Sequence, residues 1–316
     1  YATITMNFAS GAQYPFARQL DNIKRFYNAT DGFGQMLELK GYQGEGHDSS
    51  HPDYAGNYNT RAGGLSDLQL LTQKAKAYNA AIGLHINQSE AYPEAKAYNG
   101  DIITDIPGWA WLDQAYLINK ERDVISGSFE NRLTQLKKDL PHLSFIYIDT
   151  YREHRYLAYN TAKLFNDNKW VVWTEDSDIF YRQSPWIHYV AEANSMISRF
   201  VLHTTRDGFN AHPLLMGGYS RSAEIGFMGW QKGRNFNQVI ENFFTLQLPY
   251  RYLMHHKIKQ INDNEVMFEQ GVVSRKQGDQ HIIEKNGKPV LIDQTVFIPW
   301  NPEKEDKIYH YNKNGG

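Results

Sequence analysis

Two short apolar segments, each ending in a carboxylate, decide the fold of this chain. They are Phe145-Ile-Tyr-Ile-Asp149 and Trp170-Val-Val-Trp-Thr-Glu175. Residues 152–168 between them have the apolar spacing of one amphipathic helix. This strand–helix–strand order predicts that the two strands lie side by side in a parallel sheet. Neighbouring strands are about 4.8 Å apart, so the two acidic side chains would meet at one edge of that sheet.

The two strand-end acids, Asp149 and Glu175, indicate chemistry more than stability. An unpaired charge at the end of a buried strand loses its hydration, which costs several kcal/mol. Carboxyl groups roughly 5 Å apart are the arrangement that retaining glycoside hydrolases use for nucleophile and acid/base. The alternative is structural, since either acid could cap the following helix or pair with Arg152 or Arg155.

Short apolar segments alternate with helical ones over most of the chain. Predicted strands cover residues 2–8, 35–42, 81–87, 145–149, 170–175, 200–203, 224–228 and 250–254. Predicted helices cover residues 16–27, 67–78, 129–140, 152–168, 186–197 and 236–246. The alternation predicts an α/β fold, a (β/α)8 TIM-like barrel over residues 1–262. An open doubly wound sheet is the alternative, but no glycine-rich phosphate turn follows any predicted strand.

From residue 263 onward the pattern changes to short β segments separated by Gly, Asn and Asp. Asn286-Gly287 is a strong hairpin signal. Residues 263–316 are therefore predicted to be an antiparallel β module, incomplete at its C-terminus. Tyr1 is not a natural start, so we expect the chain to be a piece of a longer protein.

Composition excludes several classes of function. The 33 basic and 35 acidic residues nearly balance and form no block, which argues against nucleic acid as a partner. No apolar run approaches the roughly 20 residues of a membrane span. The chain has no cysteine, so thiol chemistry and disulfides are excluded. Aromatic residues make up 14% of the chain, with 21 Tyr and 7 Trp. That content suits a sugar-binding cleft, or else a tyrosine-rich surface.

The segment after the second predicted strand concentrates polar side chains that could bind a ligand. It contains His47, Asp48, His51 and Asp53. Histidine and carboxylate clustered in this way suit zinc. Pro52 and nearby glycines argue for a loop, in which such groups bind ligand hydroxyls or pack against each other. All three interpretations remain open from the sequence.

Two tryptophans, Trp109 and Trp111, are predicted to lie in a long irregular connection after the third strand. Long connections in compact domains often cover active sites. Gly108 precedes them and would let the segment move. We expect a lid or platform that stacks on a sugar ring, the alternative being ordinary core tryptophans.

Together these motifs resemble glycoside hydrolase family 101, the endo-α-N-acetylgalactosaminidases. The resemblance covers roughly residues 1–254. It is carried by Gly41-Tyr-Gln-Gly-Glu-Gly-His-Asp-Ser-Ser-His-Pro-Asp-Tyr54, Gly83-Leu-His-Ile-Asn87, Glu90-Ala-Tyr-Pro93, Gly108-Trp-Ala-Trp-Leu-Asp-Gln114, Tyr147-Ile-Asp149 and Thr174-Glu175. It implies a bacterial protein, secreted or cell-wall attached, with further β-rich modules. It also implies release of Gal-β1,3-GalNAc from Ser or Thr of mucin-type O-glycoproteins with retention of configuration. We expect no metal and no cofactor.

The resemblance also implies roles for individual residues. Asp149 matches the nucleophile and Glu175 the general acid/base, although Asp176 or Asp178 could take the latter role. The residues implied to bind substrate are His47 and Asp48 at the sugar hydroxyls, Trp109 and Trp111 in the lid, and Tyr54, Asn87, Asp113 and Gln114 in the cleft.

Three other functions are compatible with the same residues. The first is a retaining α-glycosidase that acts on a different sugar. The second is a metal-dependent carbohydrate deacetylase or hydrolase that would use His47, Asp48 and His51. The third is a non-catalytic carbohydrate-binding module, which would keep the aromatic platform but would not need acids at strand ends.

Overall fold

The structure, a computed structural model, describes residues 2–7, 12–153, 155–175, 183–187, 214, 225–228, 236–293 and 295–297. Contacts divide the chain into two units. One consists of Ala2–Tyr189 and Phe227–Asn235, and the other of Val190–Gly226 and Phe236–Gly316 together with Tyr1. The domain boundary that the sequence suggests after residue 262 stays a prediction.

The first unit alternates strands and helices, as the sequence predicts. Its strands are β1 (Ala2–Met6), β2 (Gln35–Lys40), β3 (Ala80–Asn87), β4 (Glu90–Ala91), β5 (Ile103–Ala110), β6 (Gln114–Ile118), β7 (Phe145–Asp149), β8 (Val171–Thr174) and β9 (Trp186–Ile187), and β10 (Ile225–Met228) follows in the chain. Its helices are α1 (Phe16–Ala29), α2 (Gly64–Lys74), α3 (Lys120–Ile125), α4 (Ser128–Asp139) and α5 (Arg155–Asp167), with short 3-10 helices at Thr60–Ala62 and Ala75–Tyr78.

Seven strands form one sheet in the order β10-β1-β2-β3-β7-β8-β9. Every pair from β1 to β9 is parallel. The order follows the chain from β1 to β9 without reversal, and β10, later in the chain, lies beside β1. A doubly wound sheet would reverse its order at a switch point. Seven strands of the sheet lie among the described residues, and their order is that of the predicted TIM-like (β/α)8 fold, so the doubly wound alternative is wrong.

The strands of this sheet separate two kinds of side chain onto two faces. Successive residues of a strand point to opposite faces, and one face carries buried aliphatic residues such as Leu39, Leu84, Ile146 and Ile148. The other face carries aromatic and charged residues. These include Glu38 and Lys40 on β2, His85 with the polar Asn87 on β3, and Phe145, Tyr147 and Asp149 on β7. Parallel sheets are usually apolar on both faces, so the second face is the unusual one.

The second unit ends in an antiparallel sheet, as predicted. Its helices are α6 (Phe236–Asn242), a π-helical turn at Phe243–Gln247 and α7 (Leu248–Met254). Its strands are β11 (Ile258–Ile261), β12 (Glu265–Phe268), β13 (Val272–Gln277), β14 (Gln280–Lys285), β15 (Lys288–Ile292) and β16 (Thr295–Val296), with a 3-10 turn at Glu269–Gly271. The six strands pair in chain order. Asn286 and Gly287 both have positive φ, 51° and 76°, which makes the predicted tight hairpin turn.

Three sequence-based element predictions need comment. The strand predicted at 250–254 is wrong, because α7 occupies it and buries Tyr250 and Leu253 at helical spacing. The helix predicted at 186–197 begins instead as β9, while residues 188–197 and the strand predicted at 200–203 lie outside the described residues.

Among the helices described, none combines the length and the apolar character that crossing a membrane would require.

Candidate active site

The two predicted acids lie at the ends of neighbouring parallel strands. Ile148 of β7 pairs with Thr174 of β8, so Asp149 and Glu175 follow at the same level. The ladder continues through the N–H of Glu175, which donates to the carbonyl of Ile148 at 3.2 Å. The side chain of Glu175 then returns to β7, where its Oε2 accepts a hydrogen bond of 3.1 Å from the N–H of Thr150. The structure thus brings the two carboxyl groups to one place.

The backbone just after Asp149 adopts a conformation that its residue type disfavours. Thr150 has φ of 43°, which is rare for a β-branched residue. This conformation points its N–H at Glu175. Disfavoured backbone that is held by specific hydrogen bonds is a frequent property of functional sites.

Asp149 is buried beside two cationic or potentially cationic groups. Its Oδ1 lies 3.6 Å from Nζ of Lys40, and its Oδ2 lies 3.4 Å from Nε2 of His85. Burial alone would raise the pKa of Asp149, but attraction to Lys40 and His85 outweighs burial and holds the pKa well below its usual value. Asp149 is therefore ionised at neutral pH, as a nucleophilic carboxylate must be.

The sequence analysis did not select Lys40, Glu38 or His85, although a signal for them was present. The strand sequences Met36-Leu-Glu-Leu-Lys40 and Gly83-Leu-His-Ile-Asn87 alternate aliphatic with polar residues. Residues two apart share a face, so the alternation groups Glu38 with Lys40 and His85 with Asn87, but only the register in the structure brings that face beside Asp149.

The polar loop after β2 folds back over the same face. The N–H of His47 donates to the carbonyl of Asn7 at 2.7 Å. Gly41, with φ of 78°, makes this possible, because a Cβ there would lie 1.9 Å from the same carbonyl oxygen. The ring of His47 then lies 5.0 Å from that of His85, and the ring of His51 lies 5.1 Å from it.

Burial sets the charge of these loop residues. It lowers the pKa of His47 and of His51 well below the usual value, so both rings are neutral at pH 7. Burial, reinforced by repulsion from Asp149, raises the pKa of Asp48 to about 7. Oδ1 of Asp48 lies 3.3 Å from Nδ1 of His47. Neutral imidazole and a carboxyl group can donate and accept hydrogen bonds, which suits the recognition of hydroxyl groups.

The metal alternative finds no ligand set in the described part of the chain, where no three His, Asp or Glu side chains are arranged to hold an ion. Asp53 has another task there. Its two carboxylate oxygens accept hydrogen bonds from the backbone N–H groups of Lys96 and Ala97 and from the side chain of Asn57. Asp53 therefore holds two loops together.

The tryptophan segment is not the irregular loop that the sequence suggested, and that prediction is wrong. β5 and β6 form an antiparallel hairpin, with β4 on the other side of β6. Trp109 lies on β5 and Trp111 in the connection, and their exposed fractions are 56% and 41%. Asp113 is exposed in the same connection, and Gln114 opens β6, where its amide donates to the carbonyl of Gly108 at 3.2 Å.

Glu90 connects this hairpin to the acids, a role the sequence analysis missed. Its Oε1 accepts a hydrogen bond of 2.7 Å from the N–H of Trp109. Asn87, directly opposite Asp149 in the register, lies between: its amide nitrogen is 3.4 Å from Oε2 of Glu90 and 3.4 Å from the hydroxyl of Thr150. A short hydrogen-bonded path therefore runs from the exposed hairpin to the strand ends.

Tyr54, predicted to line the cleft, is fully buried. Its hydroxyl donates to the carbonyl of Asn87 at 3.2 Å, and the guanidinium of Arg132 lies 4.7 Å from its ring centre. In the structure it therefore contacts the C-terminal end of β3. The roles of all the predicted site residues stay predictions.

Comparison with known proteins identifies the family and the fold of this chain. The sequence profile of the endo-alpha-N-acetylgalactosaminidase family matches residues 1–240, and that of the glycosyl hydrolase 101 beta sandwich domain matches residues 246–316. A curated relative from Renibacterium salmoninarum, named provisionally as an endo-alpha-N-acetylgalactosaminidase, is 35% identical over 99% of this chain. The chain spans 22% of the length of that relative.

Solved structures share the fold. The alpha-N-acetylgalactosaminidase NagBb of Bifidobacterium bifidum, in complex with GalNAc, is similar over 90% of this chain and 57% of its own, with a TM-score of 0.63 and 13% identity. An Anoxybacillus alpha-amylase is similar over 86% of this chain and 78% of its own, with a TM-score of 0.55 and 11% identity. On the sequence profiles and the curated relative, this chain belongs to glycoside hydrolase family 101, the endo-α-N-acetylgalactosaminidases.

Proposed function

We propose that this chain carries the catalytic site of a retaining endo-glycosidase that releases Gal-β1,3-GalNAc from Ser or Thr of mucin-type O-glycoproteins. The observation that carries the proposal is the pair of acids at adjacent strand ends, where the N–H of Thr150, the residue after Asp149, donates a hydrogen bond to Glu175. Membership of the family supports the same reaction. This chain spans 22% of the length of its curated relative. The activity of the whole protein is therefore also proposed.

In the first step, the carboxylate of Asp149 attacks the anomeric carbon of the α-linked GalNAc. The bond to the Ser or Thr oxygen breaks, and Glu175 transfers its proton to that oxygen as it leaves. The product is a glycosyl ester on Asp149 with inverted configuration. The ionised state of Asp149, which Lys40 and His85 maintain, supports its assignment as the nucleophile.

In the second step, Glu175 is a carboxylate and removes a proton from water. The water oxygen attacks the anomeric carbon, and the ester bond to Asp149 breaks. This second inversion returns the α configuration and restores both acids to their starting states. The alternative acids Asp176 and Asp178 lie outside the described residues, so Glu175 remains the proposed acid/base on its contact with Thr150.

The loop after β2 and the tryptophan hairpin would hold the disaccharide. His47 and Asp48 offer uncharged and weakly acidic hydrogen-bonding groups beside Asp149, which suits orientation of sugar hydroxyls. Trp109 and Trp111 offer exposed aromatic faces that can stack on a sugar ring. Closure of such a hairpin would exclude water and strengthen electrostatic stabilisation of the oxocarbenium-like transition state.

The test is turnover of an aryl α-glycoside of Gal-β1,3-GalNAc, with the anomer of the first product followed by NMR. The proposal expects release of the α-disaccharide. Release of the β-anomer would contradict retention. Turnover of the aryl α-glycoside of GalNAc alone, without turnover of the disaccharide, would favour the alternative of a retaining α-glycosidase acting on another sugar.

The nucleophile is tested by Asp149→Ala. We expect kcat to fall by several orders of magnitude and azide to restore turnover with formation of a β-glycosyl azide. Asp263→Ala, an exposed acid between β11 and β12, is the matched control and should leave kcat unchanged. Near-normal turnover of Asp149→Ala would remove Asp149 from the mechanism. Secretion or wall attachment, bacterial origin and further β-rich modules stay predictions.

A further inference from the structure

Lys40 is a buried ammonium group placed between two carboxyl groups. Its side chain is 6% exposed, and its Nζ lies 3.6 Å from Oδ1 of Asp149 and 3.9 Å from Oε1 of Glu38. It also lies 4.5 Å from the centre of the Tyr147 ring. Burial opposes the charged form of Lys40, but Asp149 and Glu38 outweigh burial and raise its pKa. Lys40 is therefore a fixed positive charge below the strand ends.

Glu38 is the deeper of the two carboxyl groups. It is fully buried, two residues before Lys40 on the same face of β2. Within the described part of the chain, neither of its oxygens makes a hydrogen bond. Burial, with repulsion from Asp149 and Glu175, raises its pKa to about 8 despite the attraction of Lys40. The proton therefore stays on Glu38 at neutral pH.

Lys40 is one ammonium group that faces several acids. From its own strand it faces Glu38, from β7 Asp149, and from the neighbouring segments Glu175 and Asp48. On the other sides lie the neutral rings of His47 and His51 and the ring of His85, which contacts Asp149. A buried carboxylate needs a close partner, and one ammonium group cannot neutralise two carboxylates. When Glu38 is protonated, Lys40 forms its ion pair with Asp149 and does not have to neutralise a second carboxylate.

We propose that Lys40 is a positioning residue for Asp149, and that Glu38 is kept as a neutral acid so that the single charge of Lys40 serves Asp149. The inference rests on the proposed function, in which Asp149 is the nucleophile. The competing interpretation is a structural Lys40–Glu38 ion pair with Asp149 as a bystander. The distances favour the first, because Nζ of Lys40 is closer to Asp149 than to Glu38.

The first experiment measures kcat/KM of the aryl disaccharide substrate against pH for Lys40→Met, Lys40→Arg and the exposed control Lys138→Met. Removing the ammonium group raises the pKa of Asp149, so the acid limb of Lys40→Met should move up by at least one pH unit. Activity at a pH below the new limb should then fall at least about tenfold. Lys40→Arg should restore most of the limb position, and Lys138→Met should match wild type.

The second experiment compares Glu38→Gln with Glu130→Gln, an exposed glutamate on α4. A neutral amide replaces a neutral acid, so the acid limb of Glu38→Gln should stay within a few tenths of a pH unit. If Glu38 were a carboxylate, its removal would lower the pKa of Asp149 and the limb would move down. That result would overturn the inference.

Thermal unfolding gives an independent readout of the proton on Glu38. Between its ordinary value of 4.5 and its folded pKa of about 8, the folded state holds a proton that the unfolded state has lost. Stability therefore decreases as pH rises through that window. Glu38→Gln lacks this loss, so its Tm relative to wild type should be higher at pH 8 than at pH 5. An equal Tm difference at both pH values would contradict the neutral acid.

The two proposals fail in different ways. If Asp149→Ala is active, or azide does not restore it, the proposed function is wrong and the acid limb has no assigned origin. If Asp149→Ala behaves as expected but Lys40→Met keeps the wild-type acid limb, the nucleophile stands and only the role of Lys40 and Glu38 is refuted.

Discussion

The charged face of the parallel sheet and the antiparallel sheet β11–β16 both contain ion pairs, but they differ in burial. Lys40 and Asp149 are 3.6 Å apart, with side chains 6% and 13% exposed. Arg275 and Glu284 are closer, 3.1 Å, with side chains 34% and 24% exposed. Exposed pairs contribute about 0–1 kcal/mol, whereas removing one partner of a buried pair costs about 3–5 kcal/mol. The energetic difference between the two ion pairs therefore comes from their burial and not from their distances.

The largest expected effect is on kcat, and it is tested by making the same change, Glu to Gln, once in each region. Glu175→Gln removes the proton donor, so kcat on a natural glycopeptide should fall by about 10²–10⁴-fold. The loss should be smaller for an aryl glycoside, whose leaving group needs less protonation. The measurement is kcat on both substrates.

The same change at Glu284 in the antiparallel sheet serves as its control. Glu284→Gln should leave kcat unchanged on either substrate. An equal, small effect of the two substitutions would mean that the strand-end acid has no special role.

A packing prediction concerns the layer below the charged groups. Gly83 on β3 lies opposite Phe145 of β7, and a Cβ there would be 2.1 Å from the Phe145 ring. Gly83→Ala should lower the free energy of unfolding by about 1–3 kcal/mol or more, measured by denaturant unfolding. Gly34→Ala, where a Cβ would meet nothing within 4 Å, is the control. Equal stability of the two variants would show that the Phe145 ring can move aside.

A smaller effect is expected where the hairpin joins the site. Glu90→Ala removes the acceptor of the Trp109 N–H, so kcat/KM should fall about tenfold, the equivalent of one hydrogen bond of about 1.4 kcal/mol. Glu94→Ala changes an exposed glutamate four residues later and should leave kcat/KM unchanged. Equal kcat/KM values for the two variants would exclude a contribution of the hairpin connection.

The smallest effect is expected for the partly exposed pair Arg275 and Glu284. Arg275→Met should lower the free energy of unfolding by about 0.2–1 kcal/mol, and the double variant with Glu284→Gln should show a coupling of similar size. A loss above about 2 kcal/mol would place this pair among buried ones and would break the comparison between the two sheets.

The sequence allowed prediction of those parts of the fold that depend on local pattern. Residues 145–149 were predicted to the residue, because an apolar run ended at an acid and a helix pattern followed. The hairpin β5–β6 was missed because Pro107 and Gly108 suggest a loop, whereas its pairing with β4 is a tertiary property. Tyr250 was misassigned because a short apolar run fits both periods.

The candidate site shows the same division. Asp149 and Glu175 could be found because each ends a strand. Lys40 and Glu38 could not be selected in the same way, because charged residues inside a strand predict a solvent-facing position unless the sheet is known to bury both faces. Only the register across β2, β3 and β7 shows that they lie beneath Asp149.

The hydrogen bond from Thr150 to Glu175 has a consequence for evolution of the site. The donor belongs to the main chain of the residue that directly follows Asp149, so the spacing between the acids is built into the peptide backbone and does not depend on which side chain occupies position 150. Most substitutions there retain the donor, and proline alone deletes it. Drift at this position can therefore alter rate or neighbouring contacts, but a one-residue insertion or deletion would uncouple the two acids in a single event.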